Sequence, residues 1–230
     1  MSVIKTELHA HTDADPADLI AHSVETLIDR AVAHGYGALA VTLHDRYFDP
    51  VPYAAYANPR GIVLLPGIER TIARRHILLI NFPPECAAVR SLADVATLKA
   101  AHPRGLVIAP HAFYPTTTAI GSELDAHADL VDAVEVNAMY TTWLDFNRRA
   151  IEWAAAHTKP LVGSSDLHLL EQMGTTYSLV DAAPEPDAIC DAIRRGRVEV
   201  RSSPLPSLTA ASLFTRMCWS GIKGRLRPRA

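Results

Sequence analysis

A pair of histidines separated by one residue, His9 and His11, ends the first apolar segment of the chain. Side chains two residues apart lie on the same face of a strand, so the two imidazoles are expected to point the same way. A second pair with this spacing, Asp166 and His168, ends the apolar segment 160–168. Imidazole nitrogens and carboxylate oxygens are ligands for divalent metal ions, which need them deprotonated.

Residues of the same types stand at or near the ends of the other apolar segments. The further candidates along the chain are His44, Glu69, His76, His111 and Glu135. A single histidine at a strand end is more often a hydrogen-bonded residue than a ligand. Six histidines and several carboxylates in equivalent places favour metal binding instead, and the supply of ligands suits two or three ions. Glu69 is the candidate bridge, because a carboxylate can join two ions and a histidine cannot.

Alternating strand and helix signals indicate the elements that must position these residues. Predicted strands cover 3–9, 38–44, 61–69, 71–82, 105–113, 133–139, 160–168 and 197–200, and predicted helices run from Ser23 to Gly35 and over 93–102, 143–157 and 187–195. Such alternation favours an α/β fold with a mostly parallel sheet, in which the carboxyl ends of the strands share one rim. A closed barrel in a single domain, residues 1–205, is expected. The alternative is an open doubly wound sheet, but no GxGxxG motif follows the first strand.

Composition excludes several other classes of protein. The chain has 230 residues, of which 49% are hydrophobic and 20% are charged, and a net charge of −3 provides no strong field for nucleic acid or membrane. Its three cysteines form no CxxC pair, so neither a disulfide framework nor a thiolate zinc site is indicated. No apolar segment approaches the roughly 20 residues that span a bilayer. We therefore expect a cytoplasmic protein.

The ordered motifs resemble a known family. They read HAH (9–11), TLHD (42–45), PGIE (66–69), RRHILLI (74–80), APHAF (109–113), EVN (135–137) and SSDLH (164–168). This series is similar to the PHP domain, named for polymerases and histidinol phosphatase, from about residue 6 to residue 200. The resemblance implies a distorted (βα)7, TIM-like barrel and a trinuclear metal site that usually serves phosphoester hydrolysis.

The resemblance also implies which residues hold each ion. The first ion would be held by His9, His11, Glu69 and Asp166, the second by Glu69, His76 and His111, and the third by His44, His168 and an acidic residue of the loop after HAH. We choose Asp15 for that last position, with Asp13 and Asp18 as alternatives. The sequence departs from the family here, because HAHTDADPAD lacks the SDG of the usual HxHTxxSDG motif. Leu43 also stands where the family usually has an aspartate, so both departures affect the third ion.

The implied function is hydrolysis of a small phosphorylated metabolite by a hydroxide that bridges two of the metal ions, which are zinc, manganese or iron. Glu69, Asp166 and His168 are the predicted catalytic residues, with His168 or His44 as proton donor to the leaving oxygen. The candidate phosphate-binding cations are Arg46, Arg70 and Arg148. The alternatives are an amidohydrolase-like reaction on a carbon centre, processing of nucleotides or nucleic-acid ends, and a non-catalytic module stabilised by metal. An obligate nucleic-acid partner is not expected.

The C-terminal segment 206–230 is basic and interleaved with apolar residues. A basic amphipathic helix of this kind is suited to an anionic membrane or a nucleic acid. The alternative, which we favour, is a helix that packs its apolar side on the barrel and has a frayed basic end.

Metal content tests the ligand prediction directly. Protein purified without chelators should carry at least about two equivalents of divalent metal per chain, because the predicted ligands can bridge and surround two ions. Elemental analysis measures this number. A content below about one equivalent would contradict the prediction.

Overall fold

The structure, a computed structural model, describes residues 2–225 of the chain. Within them the strands are β1 (Ser2–Ala10), β2 (Ala38–Val41), β3 (Val63–Leu65), β4 (Gly67–Ile72), β5 (Arg75–Ile80), β6 (Leu106–Ala109), β7 (Ala133–Asn137), β8 (Leu161–Ser164), β9 (Thr176–Ala182) and β10 (Val198–Ser202). The α-helices are α1 (Val24–Ala33), α2 (Ala54–Ala57), α3 (Leu92–Ala101), α4 (Glu123–Ala126), α5 (Asn147–Ala156), α6 (Pro186–Arg194) and α7 (Ser207–Arg225). Short 3₁₀ helices cover Val51–Tyr53, Asn58–Arg60, Pro84–Ala88 and Leu170–Gln172.

The strands form two five-stranded sheets, in the orders β10-β9-β1-β2-β3 and β4-β5-β6-β7-β8. In the first sheet β1 pairs in parallel with β2 and antiparallel with β9. In the second sheet β5 is antiparallel to both neighbours, whereas β6, β7 and β8 run parallel. The predicted α/β class is confirmed, and the sheets are mixed rather than mostly parallel.

The predicted (βα)7, TIM-like closed barrel is not what residues 2–225 form. The segment 61–69 was expected to be one strand, but it divides at Pro66 into β3 of the first sheet and β4 of the second. Proline has no N–H to donate to a strand ladder, so it breaks the pairing at this point. Single bridges of strand type, His44 to Glu69 and Ala10 to Leu167, join the two sheets, which are not connected by a continuous ladder among the described residues.

Side chains from both sheets share one buried cluster, which includes Leu8, Leu65, Leu78 and Ile108. Residues that alternate with these along the strands pack outward on helices, as period-two geometry requires. Thus Ile77 and Leu79 lie in a second cluster with side chains of α3 and α5, and Leu39 and Val41 lie in a third with side chains of α1. The two sheets therefore face each other, and helices cover their outer faces.

Local signals predicted most elements but not all of their bounds. Ser23 caps α1 as expected, since its side chain accepts a hydrogen bond from the N–H of Thr26. The helix expected over 143–157 begins only at Asn147. Strand β9 was not predicted, although burial alternates along it with the period of two that is typical of a half-buried strand.

The C-terminal segment forms α7, which packs on the body of the protein through Leu213, only 3% exposed. Arg227 and Arg229 of the predicted basic tail lie outside the described residues. No helix among residues 2–225 combines the length and the apolar character that crossing a membrane requires.

Substitution of Gly67 tests the junction between the sheets. A Cβ at this position would lie 2.7 Å from the carbonyl oxygen of Val41 and 2.9 Å from Cγ2 of Thr42. Gly67→Ala should therefore force β4 away from β2 and destabilise the fold by about 1–3 kcal/mol. Chemical denaturation measures the change, with Ala155→Ser on an exposed position of α5 as control. Equal stability of the two variants would show that the junction is not tightly packed.

Candidate metal centre

The nine predicted ligands all lie in one cluster at the edges of the two sheets. His9 is the last residue but one of β1 and His11 directly follows the strand, while His44 follows β2. Further around the cluster are Glu69 in β4, His76 in β5, His111 after β6, and Asp166 and His168 after β8, with Asp15 in the loop after β1. Side chains scattered over more than a hundred residues of sequence are thereby brought together, and in three groups of three the possible ligand atoms lie within 4.8 Å of one another.

Glu69 occupies the middle of the cluster and is only 1% exposed. Its Oε2 lies 3.4 Å from Nε2 of His9, 3.5 Å from Nε2 of His11 and 3.2 Å from Nε2 of His44. Its Oε1 lies 2.6 Å from Nδ1 of His76 and 3.2 Å from Nε2 of His111. One carboxylate thus presents each of its oxygens to a different set of imidazole nitrogens.

Asp166 provides a second carboxylate to the first of these sets. Its Oδ1 lies 3.3 Å from Nε2 of His9 and 3.5 Å from Nε2 of His11. Asp166 and His111 both adopt positive φ, 49° and 31°. Backbone strain of this kind concentrates at functional sites, where the surrounding structure holds a side chain in a required position.

Glu135 orients the cluster from behind and is fully buried in β7. It accepts hydrogen bonds from Nδ1 of His9 at 2.9 Å, from the hydroxyl of Ser164 at 2.6 Å and from the backbone N–H of His111 at 2.6 Å. Because a proton on Nδ1 leaves the lone pair on Nε2, this contact turns the free nitrogen of His9 toward Glu69 and Asp166. The sequence placed Glu135 near a strand end without assigning it this role.

Asp15 plays a similar part on the opposite side. Its Oδ2 accepts from Nδ1 of His11 at 2.9 Å and from Nδ1 of His44 at 3.0 Å. Its Oδ1 accepts the backbone N–H groups of Ala17 and Asp18. Both oxygens are thus engaged with N–H donors, which differs from the metal-ligand role expected for Asp15.

Asp18 is the carboxylate of this loop that faces a candidate ligand nitrogen. Its Oδ2 lies 2.9 Å from Nε2 of His168. The position of His168 is held by Gln172, whose side-chain oxygen accepts the backbone N–H of His168 at 3.0 Å. Three acidic residues lie within six positions of this loop, and only the folded loop decides which of them reaches Nε2 of His168.

A further buried carboxylate, Glu7, supports the end of β1. The β1–β2 pairing shifts register between Glu7 and Ala10, so the strand bulges immediately before His11. Glu7 accepts the backbone N–H groups of Leu8 and His9 at 3.1 Å and the hydroxyl of Ser165 at 2.7 Å. Burial raises the pKa of Glu7 to about 7, although these hydrogen bonds oppose the shift. Glu7 therefore ties the strand that carries His9 to the segment that carries Asp166.

Opposite charges dominate the electrostatics of the cluster. Burial alone lowers the pKa of His9, but the carboxylates of Asp166 and Glu69 outweigh it and hold that pKa well above its ordinary value. In the same way Glu69 raises the pKa of His44 to about 10 against the effect of burial. Burial would raise the pKa of Glu69, yet the imidazoles of His76 and His9 lower it well below its usual range. The site therefore favours positive charge next to its carboxylates.

The residues present fit divalent metal ions. Nε2 of His9, Nε2 of His11 and Oε2 of Glu69 are buried and have no hydrogen-bond partner. Buried polar atoms normally have a partner, and atoms left without one in a shared space are suited to coordinate a cation. Three groups could each hold an ion: His9 with His11 and Asp166, His44 with Glu69 and His76, and His11 with His44 and His168.

A pocket of about 720 Å³ opens above the cluster. His44, Glu69, His76, His111, Asp166 and His168 form its floor. The predicted phosphate-binding arginines Arg46, Arg70 and Arg148 are not among its lining residues. Arg46 donates to the carbonyl of Ala14, Arg70 is engaged by Asp45 and by the carbonyl of Val89, and Arg148 is exposed on α5. The structure brings the predicted ligands together but leaves these cations outside.

Comparison with known proteins supports the family resemblance. Residues 145–198 match the family model described as PHP-associated. A two-domain protein of Bacteroides vulgatus containing a predicted PHP-like metal-dependent phosphoesterase shares the fold with a TM-score of 0.68 and 18% identity over 94% of this chain and 70% of that one. PsfC from Pseudomonas syringae gives a TM-score of 0.61 with 17% identity over 97% of this chain and 99% of its own.

The fold is also shared with a protein whose name describes an endonuclease specific for lesions. The lesion-specific endonuclease PfuEndoQ from Pyrococcus furiosus gives a TM-score of 0.60 with 16% identity, over 92% of this chain and 66% of that one. No curated protein sequence matches the chain. The resemblance to the PHP domain family that the motifs indicated is confirmed by these findings.

Asp15→Asn tests whether Asp15 orients the histidines. An amide oxygen is a weaker acceptor than a carboxylate, so Nδ1 of both His11 and His44 should be held less firmly, and the affinity for Zn²⁺ should fall about 10–100-fold. Calorimetric titration of the metal-free protein measures this affinity. Asp13→Asn, an exposed position in the same loop, is the matched control and should bind as the unmodified chain does. Equal affinities in the two variants would exclude the orienting role.

Proposed function

We propose that this chain, which has the fold of PHP-like proteins, is a metal-dependent phosphoesterase that hydrolyses a small phosphorylated metabolite. The observation that carries the proposal is the buried carboxylate of Glu69, whose two oxygens face two different sets of imidazole nitrogens. A carboxylate in that position is suited to bridge two divalent cations. Two-cation sites of this kind are typical of enzymes that hydrolyse phosphate esters.

The contacts support a division of the ligands into sets. His9, His11, Glu69 and Asp166 would hold one ion, and Glu69, His76 and His111 would hold a second. A third ion would be held by His44 and His168 together with Asp18. We prefer Asp18 to Asp15 here, because Asp15 already accepts N–H groups with both oxygens while Asp18 faces Nε2 of His168.

Divalent ions in such a site lower the pKa of a water molecule and offset the negative charge of a phosphoryl group. The chain's own residues keep the ligands in place for this chemistry. Glu135 fixes the ring of His9, and Asp15 fixes the rings of His11 and His44. Asn137 donates to Glu135 at 3.1 Å and also lines the pocket, so it links the orienting carboxylate to the space that substrate would occupy.

His168 is also the candidate proton donor of the reaction. The oxygen that leaves phosphorus must take up a proton, and His168 lies in the floor of the pocket. Burial lowers the pKa of His168, but the hydrogen bond with Asp18 and the charge of Asp166 outweigh it and raise the pKa. Where no third ion is bound, Nε2 of His168, which lies 2.9 Å from Oδ2 of Asp18, is the candidate to deliver this proton to the leaving oxygen.

A nucleic-acid substrate is the second candidate, because the Pyrococcus furiosus endonuclease shares this fold. Against it, no Arg or Lys is found among the described residues that line the pocket. Phosphate backbones are usually held by several such cations. A small ester whose phosphoryl group reaches the floor of the pocket fits the site better.

Glu69→Gln tests the proposal, because the substitution removes the charge that both principal ions would share. The metal-loaded chain should hydrolyse p-nitrophenyl phosphate, and kcat/KM should fall about a thousandfold or more in Glu69→Gln. The exposed Glu85→Gln variant is the matched control and should retain full activity. Chelation should abolish activity and added metal should restore it.

Two further substrates separate the alternatives in the same assay. Faster hydrolysis of a 5′-phosphorylated oligonucleotide than of the small ester would favour the nucleic-acid function. Activity on p-nitrophenyl acetate without activity on phosphate esters would instead favour an amidohydrolase-like reaction. Full activity of Glu69→Gln would contradict the proposed bridge.

A further inference from the structure

We propose that the phosphate ester hydrolysed here is that of an apolar, ring-containing alcohol, selected by a wall formed by residues of the connections before and after β7 and by α7. The inference rests on the proposed function for the phosphoryl end of the substrate. For the alcohol end of the substrate, the inference rests on the part of the pocket that lies above the cluster of predicted ligands. That part differs sharply in chemistry from the floor.

One side of the pocket is an aromatic and aliphatic wall. The rings of Tyr114 and Phe146 meet at a centroid distance of 5.4 Å, and Met139 and Leu144 extend the same surface. The hydroxyl of Tyr114 is directed at the carbonyl oxygens of Asn137 and Met139, 3.4 and 3.3 Å away. Because its polar end is used inside the protein, Tyr114 offers the pocket mainly its ring.

The opposite side is one face of α7. Ala210, Ala211, Phe214 and Met217 line the pocket, and their spacing is that of a single stripe along a helix. The two alanines leave space, while the phenylalanine and the methionine provide contact area. Met adapts its shape to irregular apolar ligands. This helix face is therefore suited to hold an apolar group rather than a hydrated one.

Contacts outside the pocket hold α7 over the site. Leu213, next to Phe214, is buried with 3% exposure, and Ser220 donates its hydroxyl to the carbonyl of Leu19 at 2.7 Å. Gly224 comes so close to the backbone of Ala17 that a side chain would not fit there. The helix thus packs on the same loop that carries Asp15 and Asp18, so the apolar wall and the metal cluster are held in one arrangement.

The wall has apolar surface that no part of the described chain covers. Phe214 is 62% exposed and Leu144 is 56% exposed, although both line the pocket. Withdrawing such surface from water on binding is favourable by about 25 cal/mol per Å². A ring attached to the ester oxygen would lie against these two side chains while the phosphoryl group rests on the floor.

Charge in the pocket limits the rest of the substrate. The floor presents imidazoles and carboxylates, whereas the described residues of the wall include no Arg or Lys. A second phosphate or a polyanionic chain would have no cation to meet it there. A volume of about 720 Å³ is nevertheless in the range of pockets that enclose a complete small ligand. An ester with one phosphoryl group and an apolar body fits both observations.

A matched pair of esters tests the proposal in the metal-loaded, full-length chain. Ethyl phosphate and 2-phenylethyl phosphate are both esters of primary alcohols, so they differ mainly in the ring. We expect kcat/KM to be at least about tenfold higher for 2-phenylethyl phosphate. Phe214→Ala should remove most of this preference, because it removes the ring against which the phenyl group would lie. Leu208→Ala, on the same helix at a position that is 87% exposed and outside the pocket, is the matched control and should retain the preference.

Binding gives a readout that does not depend on hydrolysis. Calorimetry with 3-phenylpropylphosphonate, which cannot be hydrolysed, should show at least about tenfold tighter binding than propylphosphonate, and Phe214→Ala should reduce the difference. If no ester is hydrolysed but this selectivity in binding is observed, the apolar site is supported and the proposed function is wrong. If both esters are hydrolysed equally and Phe214→Ala changes nothing, the proposed function is retained and the apolar site is excluded. Preference for a phosphorylated oligonucleotide over both esters would also overturn it.

Discussion

The burial of charge at the junction of two sheets is the constraint on which this structure depends. Glu69 is almost completely enclosed, and a lone carboxylate in such a place would be strongly destabilising. Imidazole nitrogens from four different parts of the chain surround it and make its charged form favourable. The bridge between His44 and Glu69 joins the sheets at the same point. The chemistry of the site therefore depends on the carboxylate of Glu69, and the backbone of the same residue joins the two sheets.

Further buried carboxylates make this arrangement rigid. Each of three carboxylates, those of Glu135, Asp15 and Glu7, accepts hydrogen bonds from at least three donors. In each case the donors include groups from segments that are distant along the chain. A carboxylate with this many donors stays ionised or shares its proton locally, and it holds each donor at a fixed distance. The imidazoles are consequently oriented before any ion binds. Pre-orientation of ligands is what gives a metal site its affinity and its selectivity.

The floor and the wall of the pocket have separate origins in the fold. Strand ends and the short loops after them supply the floor, where positions are set by backbone pairing. The connections before and after β7 and the helix α7 supply the wall, where positions are set by side-chain packing through residues such as Leu213. Under the proposed function, changes in the wall would alter the preferred substrate without disturbing the charged cluster. The charged floor would then carry out the chemistry, and the apolar wall would determine the selectivity.

The sequence by itself determined the candidate ligands and most of the secondary structure. Period-two spacing in His9 and His11, and the recurrence of histidines and acids at strand ends, are local signals, so they could be read without a fold. The break at Pro66, which assigns the two halves of one apolar segment to different sheets, was decided by tertiary structure, because strand pairing is non-local. The same is true of the loop after β1, whose path places Oδ2 of Asp18, and no oxygen of Asp15, 2.9 Å from Nε2 of His168. Tertiary structure also decided the partners of Arg46 and Arg70, whose long side chains donate to backbone carbonyls outside the pocket. It likewise decided the position of α7, whose apolar face lines the pocket because the helix packs above the cluster.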